Sequence, residues 1–134
     1  MARAIIKKAG EADERRPFVS HGEASVLNLG ALSIGRGHFE PGWQWSKHVK
    51  PIAGTETCEV VHTLGVLSGR MHVQMKDGQE LELEPGDVAF IPSGHDAWVV
   101  GNEPCRVVDF TGAEDYAVAR ARREEPEREP SVLQ

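Results

Sequence analysis

The chain has 134 residues, and its 15 Lys and Arg stand against 21 Asp and Glu, which gives a net charge of −6. An acidic domain of this size lacks the basic patch that nucleic-acid binding requires, and its charge disfavours anionic membrane surfaces. Hydrophobic residues make up 40% of the sequence, which argues against a disordered chain, while no apolar run approaches the roughly 20 residues of a membrane helix.

The first region, residues 1–30, is predicted to form N-terminal strands or an arm. Its apolar pair Ile5-Ile6 is flanked by charged residues and is shorter than the roughly 7–15 apolar residues of a signal-peptide core. We therefore expect a cytoplasmic protein. In that reducing compartment Cys58 and Cys105 are expected to be thiols rather than a disulfide.

Short apolar segments separated by glycine and proline predict a barrel core of many short strands over residues 31–112. The clearest signal is in residues 70–84, where apolar and polar residues alternate on both sides of Asp77-Gly78. This pattern predicts a hairpin with one buried face. An Ala-rich segment at 113–123 predicts a short C-terminal helix, and the charged residues up to 134 predict a tail. Further strands are predicted over residues 25–29, 31–39, 43–49, 58–67, 87–91, 96–100 and 105–110.

Two stretches combine glycine, proline and histidine at defined spacings. In the first stretch, five residues separate a glycine from a histidine, and six residues separate a second histidine from another glycine. The second stretch has a glycine, five residues and then Pro-x-Gly. The two stretches resemble the two motifs of the cupin family of small β-barrels. The matching residues are Gly42, His48, His62 and Gly69 in the first motif, and Gly86, Pro92 and Gly94 in the second.

This resemblance implies an all-β fold: a single double-stranded β-helix, or jelly-roll, barrel. It also implies a metal site, because four positions of the two motifs hold one metal ion in a standard cupin. His48 falls on the first of these positions, Lys50 on the second and His62 on the glutamate position. Ala97 falls on the last position, and His95 lies two residues before it.

The residues themselves favour a metal as well, since residues two apart in a strand face the same way. If His48, His62 and His95 all point inward, three segments bring three imidazoles to one end of the barrel. Three protein ligands with an open position are typical of a catalytic metal site. The expected ion is a divalent metal (Fe, Zn, Ni, Mn or Cu). The alternative is that each histidine is only a satisfied core residue.

Lys50 and Cys58 are the candidate substrate-binding residues. Lys50 lies two residues after His48, where it either turns outward or holds an anionic group of a ligand. Cys58 lies four residues before His62 and is interpreted as a soft ligand, a reactive thiol or a small buried hydrophobe. Asp109, among apolar residues of the last predicted strand, is a candidate for a buried functional carboxylate.

The leading functional hypothesis is a metal-dependent enzyme of the oxygenase, isomerase or lyase type that acts on a small organic molecule. The alternative is a non-catalytic, metal-free binding or sensor domain that takes an anionic ligand. A homodimer is expected, with the segment 4–8 adding a strand to a neighbour's sheet. His72 alternates with polar residues, so it is predicted to lie on the outer face, whereas His62 is predicted to be internal.

Overall fold

The computed structural model describes residues 3–119, in which nine strands form two antiparallel sheets. The larger sheet has six strands in the order β1-β2-β3-β9-β4-β7, and the smaller has three in the order β6-β5-β8. The predicted all-β jelly roll is confirmed. The strands are β1 Glu14–Pro17, β2 Gly22–Leu29, β3 Leu32–Phe39, β4 His62–Ser68, β5 Arg70–Met75, β6 Glu80–Leu83, β7 Val88–Ile91, β8 His95–Val100 and β9 Cys105–Asp109.

The core lies between the two sheets and follows the period-two alternation of the strands. The predicted hairpin is β5–β6, in which Met71 pairs with Leu83 and Val73 with Leu81. Gly78 closes its turn with a φ of 98°, a backbone conformation that favours glycine. Residues buried between the sheets include Leu64, Val66 and Val107 from the larger sheet and Met71, Val73, Ala97 and Val99 from the smaller one.

The strand predicted over residues 43–49 is wrong, because the chain there forms two short helices, α1 (Trp45–His48) and α2 (Lys50–Ala53). Trp45, Val49 and Ala53 are all buried. The N–H groups of Val49 and Ala53 donate to the carbonyl oxygens four residues earlier, each at 2.9 Å, which puts the three side chains on one face of the helical segment. Burial of this face outweighs the strand pattern.

Specific local features fix both ends of this helical segment: a hydrogen bond at the start and a glycine at the end. The Ser46 backbone N–H in the first turn of α1 donates to the Asp96 carboxylate at 3.0 Å, which satisfies a donor that the helix leaves unpaired. Gly54 ends α2 in the left-handed region, with a φ of 77°, as is usual after a helix.

The segment after β9 is held against the barrel as turns. Of the helix predicted at 113–123, the structure describes residues 113–119, and 113–117 are turn rather than helix; the predicted tail lies outside the described residues. The buried Arg16 side chain donates to the carbonyl oxygens of Ala113 at 2.5 Å and Tyr116 at 2.9 Å. These bonds fix the segment over one end of the barrel.

The N-terminal segment 4–8 forms no strand within the described part of the chain, and its pairing with a second copy stays a prediction. Ile6 in this segment is 91% exposed. Among residues 3–119, no helix is long and apolar enough to cross a membrane.

Candidate metal centre

Three buried metal-ligating side chains converge at one end of the barrel: Cys58, His62 and His95. Their exposed fractions are 1%, 6% and 4%. The Sγ atom of Cys58 lies 3.8 Å from Nε2 of His62, and one ligand atom from each of the three residues lies within 4.8 Å of the others. The structure brings together His62 and His95, two of the three histidines predicted from the sequence, with Cys58, which the sequence offered as a soft ligand.

Backbone pairing positions two of these ligands. Cys58 and His95 form an isolated antiparallel bridge, in which the Cys58 N–H donates to the His95 carbonyl at 2.8 Å. The Gly94 N–H donates in turn to the Cys58 carbonyl at 2.8 Å. The loop that carries Cys58 is therefore fastened to the start of β8, and the thiol stays beside the imidazole.

The hydrogen bonds of His95 set its tautomer. Nδ1 lies 2.9 Å from the carbonyl oxygen of Pro92, and because a carbonyl only accepts, Nδ1 carries the proton and donates it. Nε2 then keeps a lone pair, as a metal ligand must. Burial lowers the pKa of His95 to about 4, helped by the charge of His62 and opposed by the bond to Pro92 and by Asp96. The ring is therefore neutral at pH 7.

Asp109 sets the tautomer of His62 in the same way. Its carboxylate accepts a hydrogen bond from Nδ1 of His62, which leaves Nε2 directed at Cys58. Burial by itself would raise the pKa of Asp109, but hydrogen bonds from His62, Gly112 and Thr111 and the charge of His62 hold it below 3.8. A carboxylate that orients a ligating histidine is a common second layer of metal sites, so the candidate role of Asp109 has geometric support.

The geometry suits a metal ion. A tetrahedral ion with bonds of about 2.3 Å to sulfur and 2.0–2.1 Å to nitrogen separates sulfur and nitrogen by about 3.5 Å. The observed separation between Cys58 and His62 is 3.8 Å, so a small inward movement would complete the site. Three protein ligands leave a fourth position, and two of them, His62 and His95, line a cavity.

The cavity beside these residues has a volume of about 50 Å³, which is room for a few water molecules or a very small organic group. Tyr116 covers it, with its ring edge-on to His62 at a centroid distance of 5.2 Å. Burial, with the charges of Cys58 and Asp109, raises the pKa of Tyr116 well above 10, so the phenol keeps its proton. The lining is mostly apolar and includes Trp45, Leu64, Met71, Val73, Ile91 and Ala97.

The structure does not bring His48 or Lys50 to this site. His48 lies on α1, where its ring packs on His21 at a centroid distance of 4.3 Å and its Nδ1 accepts the Gln44 N–H at 3.0 Å. Lys50 lies on α2 and pairs with Glu56 at 3.1 Å. The inward direction predicted for His48 depended on a strand, and α1 turns its side chain elsewhere. Lys50 turns outward, which is one of the two alternatives that the sequence left open.

His72 lies on the outer face of β5, as expected. It stacks on Trp98 at a centroid distance of 4.7 Å and bonds to Glu80 at 2.7 Å. Cys58 and Cys105 are both buried and form no disulfide in the described part of the chain. Burial raises the pKa of Cys105 to about 11, which makes it an unreactive thiol.

Sequence reasoning missed three contributors to the site: Arg16, Gly112 and Tyr116. A Cβ on Gly112 would lie 2.6 Å from Oδ2 of Asp109 and 2.7 Å from Nδ1 of His62, so only glycine fits above that pair. Its position three residues after Asp109 was the one available signal. Arg16 and Tyr116 gave no sequence signal. They are 100 residues apart, and the bond between them runs from the Arg16 side chain to the backbone carbonyl oxygen of Tyr116, which any residue type could supply.

Residues 53–111 match the family model described as Cupin domain. This match confirms, over that part of the chain, the resemblance to the cupin family seen in the glycine, proline and histidine spacings. No curated protein matches the sequence.

Several solved structures share the fold. An uncharacterized conserved protein with a double-stranded β-helix domain from Klebsiella pneumoniae is 20% identical over 84% of this chain and 94% of that chain, with a TM-score of 0.54. A protein of unknown function from Vibrio parahaemolyticus is 10% identical over 72% of this chain and 96% of that chain, with a TM-score of 0.53. Another from Acidithiobacillus ferrooxidans is 21% identical over 72% and 85%, with a TM-score of 0.51. At these identities the similarity shows the fold alone.

Proposed function

We propose that this protein binds one metal ion through Cys58, His62 and His95 and a small organic molecule in the adjoining cavity. The observation that carries the proposal is the preset tautomer of both histidines. The Pro92 carbonyl and the Asp109 carboxylate each accept a hydrogen bond from Nδ1–H, so both Nε2 lone pairs are available in a pocket that also holds a thiol. Neutral imidazoles and a deprotonated thiol are the forms that bind metal.

The donor set narrows the metal. Thiolate ligands favour Zn²⁺ and Cu⁺, and imidazole suits Zn, Cu, Fe and Ni, whereas Mn²⁺ prefers carboxylate and carbonyl oxygens. One cysteine with two histidines therefore supports zinc or copper ahead of the other candidates. Asp109 is too strongly engaged with His62 and with the backbone N–H groups of Thr111 and Gly112 to be a ligand itself.

The cavity limits the organic molecule. Its lining is largely apolar and its volume of about 50 Å³ excludes a large ligand unless side chains move. A bound metal would supply a Lewis acid at the open position. Around it, Tyr116 would cover the ligand with a protonated phenol, and Asp109 would keep His62 oriented. Lys50, the anion contact of the alternative hypothesis, is already paired with Glu56 outside the cavity.

The test is metal content after purification without a histidine tag, followed by titration of the metal-free protein with Zn²⁺. We expect one equivalent per chain. Replacing Cys58 by Ser, or His62 or His95 by Gln, should lower the affinity at least about a hundredfold, because a three-ligand site then keeps two.

The controls are matched by residue type: His48→Gln for the histidines and Cys105→Ala for the cysteine. Both should bind Zn²⁺ like the parent. Loss of Zn²⁺ binding in His48→Gln would instead support the ligands predicted from the sequence, which include His48. A parent protein that binds no Zn²⁺ and no Cu⁺ at neutral pH would overturn the proposal.

A further inference from the structure

Three arginines line one groove on the outer face of the larger sheet. Arg15 on β1 and Arg36 on β3 both lie opposite Ser25 of β2, so the three residues form a row across three strands. Arg106 on β9 lies opposite His38, in the next row along β3. All five side chains alternate with buried neighbours and line the same groove.

The groove is positive in an acidic protein whose net charge is −6. Its one carboxylate, Glu23, pairs with Arg15 at 2.7 Å. Within residues 3–119, the guanidinium groups of Arg36 and Arg106 have no ion pair and no hydrogen-bond acceptor. His38 pairs with Glu40 at the edge of the groove. Among the described residues, two positive charges in the groove therefore have no counter-charge.

The shape of the row suits a tetrahedral oxyanion. Arg36 lies directly beside Ser25 on the neighbouring strand, about 4.8 Å away, and Arg106 lies on the next strand, one row along. Ser25 is small and half-buried, and its hydroxyl makes no hydrogen bond within the described residues. The long side chains of Arg36 and Arg106 can both extend over this position, and a guanidinium holds an oxyanion through paired N–H donors.

We propose that this groove binds the phosphate group of a small molecule. Arg36 and Arg106 balance its two negative charges, and the Ser25 hydroxyl donates from the floor. The chemistry fits a phosphate dianion better than a carboxylate, because a single negative charge would leave one guanidinium unbalanced. This proposal uses none of the metal donors, so it stands or falls independently of the proposed metal site.

The experiment is a titration of the ¹⁵N-labelled protein with inorganic phosphate and, separately, with phenyl phosphate. The side-chain Nε–Hε signals of arginine are followed, and sodium chloride at matched ionic strength is the reference. We expect saturable shifts at Arg36 and Arg106. Tighter binding of phenyl phosphate would indicate a phosphorylated organic molecule, and equal or weaker binding would indicate free phosphate; either supports a phosphate site.

Variants separate a site from a diffuse charge effect. Arg36→Gln and Arg106→Gln should each raise the dissociation constant roughly tenfold, since each removes a charge-assisted pair of hydrogen bonds. Ser25→Ala should raise it a few-fold. The matched control is Arg70→Gln on β5, outside the groove, which should change nothing. Shifts that only follow ionic strength, or an equal loss in Arg70→Gln, would overturn the proposal.

Discussion

Acidification should destabilise the metal-free protein through His95. Burial holds its pKa at about 4 in the folded chain, whereas histidine in an unfolded chain titrates near 6.5. Between these values the unfolded state binds more protons, so the free energy of unfolding falls as the pH falls through this window. From pH 7 to pH 5 the two pKa values predict a loss of about 2 kcal/mol.

The assay is urea denaturation at pH 7 and pH 5 with a chelator present, for the parent and for His95→Gln. Glutamine does not titrate, so the variant should lose about 2 kcal/mol less than the parent over this interval. The pKa of His48 is also lowered, by burial and by the charge of His21, but both proteins share that contribution. Equal losses in the two proteins would refute the argument that the His95 site keeps this ring neutral.

Three further changes test the surroundings of the metal site. Asp109→Asn should weaken metal binding about 10–100-fold by removing the carboxylate that orients His62, as measured by competition with a chelator; unchanged affinity would make that pair merely structural. Gly112→Ala would place a Cβ 2.7 Å from Nδ1 of His62, so we expect a loss of about 1–3 kcal/mol in denaturation together with weaker metal binding, and a fully stable variant that binds normally would contradict the packing. His72→Gln, on the outer face, should change stability by no more than about 0.5 kcal/mol and leave metal binding intact; if it abolished binding, the strand register would be wrong.

The fold was accessible from the sequence wherever one face of a strand is buried and the other exposed. The β5–β6 hairpin shows this, since its alternation and its Asp77-Gly78 turn are local signals. The segment 43–49 was predicted wrongly as a strand, because the prediction used only the alternation of residue types along it. Trp45, Val49 and Ala53 share one face in a strand as well as in a helix, because their spacing of four residues is even, so only Gly54 at the end of the segment favours the helix.

The site was only half accessible, for a physical reason. His62 and His95 lie on strands, so their direction follows from the motif and the pleat. Cys58 lies on a loop, and its direction depends on a backbone bridge to His95 that joins residues distant in sequence. His48 shows that a motif position alone is insufficient. It occupies the expected place in the sequence, but it lies on α1, and the helical backbone directs its side chain away from the site.

The bridge between Cys58 and His95 also governs how an ion could enter or leave. His62 begins a strand of the six-stranded sheet, and His95 begins a strand of the three-stranded sheet to which Cys58 is fastened. An ion held by all three would join the two sheets, all three ligands are buried, and Tyr116 packs edge-on against His62. Release would then require the sheets to part or the Tyr116 segment to lift. A chelator in excess would remove the ion at the rate of that opening, whatever the chelator concentration.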